Sequence, residues 1–246
     1  MAVKAIVLGA GKGTRMKSDL AKVLYPVAGR PMLLWVLDAV AGAGINESVV
    51  VVGHQADAVS AVLPPGVAAA LQAEQLGTGH AAAVGLGALE FLPDDQIVVM
   101  PGDMPLVSAD TLRSMLTTHF ESGAAATLLT AELEEPRAYG RVIRDKGAVR
   151  AIVEAKDATP EQLKVREVNT SVYVFAAEYL PGALNRIGTD NAQGEYYLTD
   201  VVGILVAGGH RVAGHVGDPS EGLGINSVDQ VAGVEEILHA RRSVGR

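Results

Sequence analysis

Gly9, Gly11 and Gly13 recur at every second position after the apolar run Val3–Leu8, with Arg15 and Lys22 downstream. Glycine permits positive φ and lets a ligand rest against main-chain N–H groups. Arg15 adds a fork of donors suited to phosphate, and Lys22 a compact point charge. Residues 1–30 hold Lys4, Lys12, Arg15, Lys17, Lys22 and Arg30 against one acid, Asp19, in a chain of net charge -8. That local excess reads as a polyphosphate cradle. Asp103 follows another apolar run through Pro101-Gly102, at a strand's C-terminal end, where open α/β sheets bind ligands. A carboxylate whose shell is completed by phosphates and water is the usual holder of Mg²⁺. Gln72 stands between these blocks. Its amide offers a donor and an acceptor to a pyrimidine edge, and Gly77-Thr78 can bring backbone groups close to it.

These groups need a scaffold that gathers strand ends. Short apolar runs alternate with helical patterns, which predicts a largely parallel sheet covered on both faces. Strands are expected at Ala2–Leu8, Ser48–Val52, Val67–Ala73, Gln96–Met100, Ala125–Ala131, Glu167–Phe175 and Arg211–His215. A hairpin is expected from Gly140–Arg144 and Val149–Glu154 across Asp145-Lys146-Gly147. Helices are expected at Pro31–Ala43, Ala56–Leu63, Thr78–Phe91, from Ser108 as cap to about Ser122, and at Ala177–Arg186, Asp200–Ala207 and Val228–Arg242. The expected organisation is one domain over 1–246. It has a nucleotide half to about 120, a second half over about 121–226 that shapes the other substrate, and a C-terminal helix over 227–246.

Bulk properties narrow the function. With 49% hydrophobic and 20% charged residues, the composition is that of a soluble globular protein. The acidic balance opposes nonspecific nucleic-acid binding. Cysteine is absent, which removes disulfides and thiolate metal sites and suits a reducing cytoplasm. The scattered histidines form no helical H-x-x-x-H pair, so zinc is not expected. No signal peptide opens the chain, and the uncharged stretch Ala58–Ala73 is too short to span a bilayer, so no membrane insertion is expected.

The loop alone does not select a ligand. A dinucleotide fingerprint needs a third glycine where Thr14 stands and a helix directly after, but a long loop containing Pro26 intervenes. A Walker A loop needs Ser or Thr after its lysine, whereas Lys12 precedes Gly13.

A series of ordered blocks is more specific. Leu8-Gly-Ala-Gly-Lys-Gly-Thr-Arg-Met, Ser18-Asp-Leu-Ala-Lys22-Val-Leu and Gly29-Arg-Pro-Met resemble the nucleotide-sugar pyrophosphorylases. Within them the chain looks like the uridylyltransferase domain of bacterial bifunctional N-acetylglucosamine-1-phosphate uridylyltransferases. The likeness continues through Gln72-Ala-Glu-Gln-Leu-Gly-Thr-Gly-His-Ala81, Gly102-Asp-Met-Pro-Leu106, Tyr139-Gly-Arg-Val142, Val153-Glu-Ala-Lys-Asp-Ala-Thr159 and Glu167-Val-Asn-Thr170. It ends with Asn191-Ala-Gln-Gly-Glu-Tyr-Tyr-Leu-Thr-Asp200 and Gly224-Ile-Asn226.

The resemblance implies a Rossmann-like α/β fold of the nucleotide-diphospho-sugar transferase type, with a mostly parallel mixed sheet. It also implies Mg²⁺-dependent transfer of UMP from UTP to N-acetylglucosamine 1-phosphate, making a cell-wall precursor. By the same resemblance Arg15 and Lys22 are catalytic, and Leu8, Gly9, Ala10, Gly11, Gln72, Gly77, Thr78, Gly102 and Asp103 bind the nucleotide. Gly140, Glu154, Asn169, Tyr197, Thr199 and Asn226 face the sugar, and Asp103 and Asn226 hold the metal. Tyr197 and Thr199 either line the sugar pocket or cap the next helix. Lys156 and Asp157 read as a solvated pair.

Three departures carry expectations. Gly9 and Ala21 stand where the family has alanine and proline, the latter expected to loosen the lysine's loop, and Ser227 replaces a second asparagine. The family's hexapeptide-repeat acetyltransferase domain, which drives trimerisation, has no counterpart here, so acetyl transfer is not expected and the oligomeric state is open. The rival readings are the same fold on glucose 1-phosphate or on CTP with an alcohol phosphate, and a non-catalytic nucleotide-sugar sensor. A dehydrogenase stands last.

Overall fold

The central strand, β1 (Val3–Leu8), is flanked on both sides by parallel strands and buried on both faces. That is why its sequence is a continuous apolar run and not an alternation. The computed structural model describes residues 1–246 except 12, 17, 19, 223, 245 and 246.

In chain order, a hairpin of β2 (Pro26–Val27) and β3 (Arg30–Pro31) precedes α1 (Met32–Gly42), β4 (Glu47–Val52), α2 (Ala56–Ser60) and β5 (Val67–Leu71). Then come α3 (Thr78–Gly87), β6 (Gln96–Pro101), α4 (Ala109–Ser122), β7 (Ala126–Glu132), β8 (Arg141–Asp145) and β9 (Ala148–Val153). The chain continues through α5 (Pro160–Leu163), β10 (Glu167–Ala176), α6 (Leu180–Leu184), α7 (Asp200–Ala207), β11 (Val212–Val216) and α8 (Asp229–Val244).

The sheet runs β11-β7-β10-β6-β1-β4-β5, and β8 with β9 extends from β10. Along that path β10 alone runs antiparallel to its neighbours, so the α/β class with a mostly parallel mixed sheet is the one found. Alternate residues feed two cores. Ile6, Val51, Ile97 and Phe175 face α3, α6 and α7, while Val7, Val50, Val98 and Val174 face α1, α2 and α4. Each fully buried aliphatic side chain contributes about 1.5–3 kcal/mol. A third cluster joins Met16, Val27, Met32, Leu106 and Ile225 to Val231, Val234 and Leu238 of α8.

The strand order places a topological switch point at β1 and β6, where Leu8 lies in register with Pro101. Three helices are shorter than their periodicity suggests. The α2 helix stops at Ser60 ahead of Pro64-Pro65, α3 at Gly87 and α6 at Leu184, although Leu63, Leu89, Phe91 and Ile187 beyond the helix ends still pack on the cores, so the apolar spacing runs on outside the helices. The β2–β3 hairpin and α5 have too little length to leave a periodic signal. No helix among the described residues is long and apolar enough to cross a membrane.

Candidate active site

A cavity of about 470 Å³ opens at the carboxyl ends of β1 and β6. Its walls include Leu8, Gly9, Ala10, Gly11, Lys22 and Asp103, together with Gln72, Gly77 and Thr78. Asn226 lies beside Lys22, and Glu154 and Thr199 close the cavity from the other side. Residues far apart in sequence therefore share one wall because β1, β6 and the segment leading to α8 end together.

The glycines do different jobs. A Cβ on Gly13, at φ +59, would fall 2.5 Å from the Lys22 Cβ, so only glycine lets the loop lie against the lysine stem. A Cβ on Gly11 would meet nothing within 4 Å, which leaves space for a ligand. Gly9 donates its N–H to the Val51 carbonyl at 2.8 Å, and a Cβ there would approach the same oxygen to 3.2 Å, so alanine would fit only after a small shift. Ala21, expected to loosen the loop, is fully buried and donates its N–H to Gln55 Oε1 at 2.7 Å. Proline could not make that bond. Lys12, Lys17 and Asp19 of the expected cradle lie outside the described residues.

The Lys22 ammonium pairs with the Asp103 carboxylate and donates to Asn226 Oδ1 at 2.8 Å. Arg15 donates to the same amide oxygen at 3.0 Å from a more exposed position. Ile225 donates its N–H to the Asp103 carbonyl at 3.0 Å, which ties the two oxygen donors together through the backbone. Gln230, in the first turn of α8, accepts from the N–H groups of Asn226 and Ser227. Met16 and Ile225, the neighbours of Arg15 and Asn226, are both buried under α8. The carboxylate and amide oxygens thus converge on one cationic point, a donor set that suits a hard divalent ion completed by phosphate. Among the described residues no group of three or more His, Cys, Asp or Glu could hold a metal by protein ligands alone.

Gln72 is buried, and its amide nitrogen donates to the Gly77 carbonyl at 3.3 Å and contacts His80 Nδ1 at 3.1 Å. An amide nitrogen only donates, so His80 accepts there. Thr78 does not cap α3. Its hydroxyl accepts the Leu198 N–H at 3.0 Å, and Gly79 donates to the Tyr196 carbonyl at 2.7 Å. These bonds stitch the loop before α3 to the loop before α7. A Cβ on Gly77, at φ +113, would fall 2.6 Å from the Tyr196 carbonyl oxygen.

The opposite wall is built on a bulge in β10 between Asn169 and Tyr173. Asn169 Oδ1 accepts the Ser171 N–H at 3.1 Å, its amide nitrogen donates to the Tyr173 hydroxyl at 2.8 Å, and Ser171 sits at φ +65. The Asn169 amide is engaged in this turn and does not line the cavity, where Thr170, Ser171 and Tyr173 form the wall. Gly140 lies behind Glu154, and Gly102 packs under Val23 and Leu33, so neither reaches the cavity.

Burial first, then Asp157 and Asp200, push the Glu154 carboxyl above its ordinary pKa, against the Thr199 hydroxyl. Thr199 lines the cavity and makes no side-chain cap, although its hydroxyl oxygen is buried and lacks a well-formed hydrogen bond. Tyr197 lies behind it, its buried phenol likewise without a well-formed bond and pushed up to about 12 by burial, Asp157 and Glu154. Asp157, expected to be merely solvated, accepts the Ala192 N–H at 2.8 Å and orders this loop.

The sequence profile of the MobA-like NTP transferase domain matches residues 5–168. The chain belongs to that family. It is a nucleotidyltransferase domain. It is 49% identical over 246 residues to the bifunctional protein GlmU of Geobacter metallireducens, covering 98% of this chain and 51% of that protein. Against GlmU of Pelotomaculum thermopropionicum it is 50% identical over 245 residues, covering 98% and 53%. The chain thus spans about half the length of these curated relatives. A crystal structure described as a putative glucose-1-phosphate thymidylyltransferase from Bacillus anthracis superposes with TM-score 0.77 over 96% of this chain and 95% of that one. At 18% identity that likeness concerns the fold.

Among residues of this nucleotidyltransferase wall that the sequence did not single out is Tyr139, raised above its usual pKa by burial and by the Asp103 charge, against a backbone bond from Gly224. It therefore keeps a phenolic proton to donate. Its place inside the matched block Tyr139-Gly-Arg-Val142 was the available signal. Gln75 likewise lay inside the matched block Gln72–Ala81, whereas Ser171 gave no signal, since a bulge brings it to the wall.

Proposed function

We propose that the chain is a cytoplasmic enzyme that transfers UMP from UTP to N-acetylglucosamine 1-phosphate, releasing pyrophosphate and forming UDP-N-acetylglucosamine, with Mg²⁺ held by Asp103 and Asn226. One observation carries the reading. Two cations and two oxygen donors meet at one end of a cavity whose other end offers a half-buried carboxylate and the Thr199 hydroxyl, which lacks a well-formed hydrogen bond.

A phosphate oxygen of the sugar 1-phosphate attacks the α-phosphorus, the bond from that phosphorus to the β-bridging oxygen breaks, and pyrophosphate leaves. The nucleophile is already an anion at neutral pH, so no side chain has to remove a proton. When bound, Mg²⁺ supplies positive charge against the phosphate oxygens and helps align them. Lys22 and Arg15 stabilise charge that builds on the departing pyrophosphate. Gln72, with the backbone at Gly77 and Thr78, holds the base, and Glu154 accepts from a sugar hydroxyl or amide. Holding both anions in line accounts for the rest of the acceleration. In this reading residues up to about 120 serve the nucleotide and those over about 121–226 the sugar.

Incubation with UTP, N-acetylglucosamine 1-phosphate and Mg²⁺ is expected to release pyrophosphate. A panel crossing UTP, CTP and TTP with glucose 1-phosphate and its N-acetylamino analogue tests the substrate. Release with none of them overturns the reading, and preference for another pair overturns the substrate assignment.

A further inference from the structure

The Asn226 amide oxygen has two lone pairs, and both are committed, one to the Lys22 ammonium at 2.8 Å and one to the Arg15 guanidinium at 3.0 Å. The Asn226 amide nitrogen donates to the Gly224 carbonyl at 3.3 Å, so the amide cannot turn to free its oxygen without losing a third bond. The Lys22 side chain is largely buried, and its ammonium also pairs with Asp103. Gly13 packs against the Lys22 Cβ, which fixes where the stem leaves the backbone.

We propose that Lys22 is a built-in stand-in for the divalent cation, so that the site takes up metal only when an anionic polyphosphate draws Lys22 and Arg15 off Asn226. The inference rests on the reading of Asp103 and Asn226 as metal ligands. An entering cation meets a like charge already between its two oxygen donors, and that repulsion sets the obstacle to metal entry. A polyphosphate removes that obstacle in two ways. It offers Lys22 and Arg15 a better anion, and it adds oxygen ligands for the metal. Metal and nucleotide then raise each other's affinity by the same factor. The arrangement keeps Asp103 compensated at all times and limits metal loading to the substrate-bound enzyme.

The test is Mn²⁺ binding without nucleotide, read by the electron paramagnetic resonance signal of free Mn²⁺. Lys22→Met is expected to bind Mn²⁺ roughly tenfold more tightly than the unmodified chain, and the gain is expected to vanish in Lys22→Met/Asp103→Ala. Arg15→Gln, at an exposed position, is expected to give a smaller gain in the same direction, and it carries the test should the Lys22 variant not fold. No gain in either variant overturns the stand-in role. A gain that survives Asp103→Ala puts the ion elsewhere and overturns the metal reading as well. The Mg²⁺ requirement of turnover in Asp103→Ala judges that reading separately. If it shifts while Lys22→Met gains nothing, only the stand-in fails.

Discussion

The two ends of the cavity are built on opposite terms. At the Lys22 end each charge meets its complement: Lys22 lies on Asp103, and both cations share Asn226. At the other end Glu154, Asp157 and Asp200 are like charges, and the hydroxyls of Thr199 and Tyr197 are buried without well-formed hydrogen bonds. A compensated cluster is at rest without ligand and must be opened by one. An uncompensated cluster holds hydrogen-bonding capacity that a polyhydroxylated ligand can satisfy. The first end suits chemistry on charge, the second suits recognition.

The largest effect is expected at the compensated end. Asp103→Ala removes an oxygen donor and leaves Lys22 unopposed, so turnover should fall on the order of 10³-fold or more. A loss below about tenfold in steady-state assays would break the contrast at its stronger side. Lys22→Ala should cost roughly 10²–10³ in kcat if it acts as one transition-state donor.

At the recognition end Glu154→Gln should lower kcat/KM for the sugar phosphate by roughly 10–100-fold, the value of one charged hydrogen bond, and leave KM for UTP unchanged. Burial raises the folded pKa of Glu154, so the acceptor is lost as pH falls through a value above the ordinary carboxylate range. Activity of the unmodified chain should therefore decline on acidification before ordinary carboxylates protonate, and Glu154→Gln should flatten that limb. Stability moves the other way. The fold favours the neutral carboxyl, so the stability linked to this group is least above the folded pKa and grows as pH falls through it. Denaturation midpoints for the unmodified chain and Glu154→Gln across mildly acidic pH separate the two trends.

The smallest effect is expected at Tyr197→Phe. Removing a buried hydroxyl that lacks a well-formed bond should leave stability within about 1 kcal/mol or raise it slightly. A rise in KM for the sugar phosphate alone would mean that the substrate completes this hydroxyl. A clear loss of stability would show that the phenol is already satisfied and blunt the comparison.

The same asymmetry governs what could be read in advance. Gly9 to Lys22 and Asp103 are legible because strand ends, glycine spacing and charge are local properties, and the switch-point rule turns them into a place. Glu154 and Thr199 came from ordered motifs and not from any local physical signal. Asn169 shows the limit. Its residue type suits a sugar contact, yet the bulge turns its amide onto Ser171 and Tyr173. Ala21 shows another, since the missing proline reads as looseness until the bond to Gln55 appears.

By itself, then, the sequence determined the sheet class, the glycine-rich loop after β1, the position of the cation pair and the carboxylate at the end of β6, because each rests on periodicity or neighbouring residues. Tertiary structure decided that Lys22 and Arg15 share one amide oxygen, that α8 holds their neighbours in place, and which side chains of β10 meet the cavity. Those depend on contacts between segments as distant as Lys22 and Asn226, and only packing sets such distances.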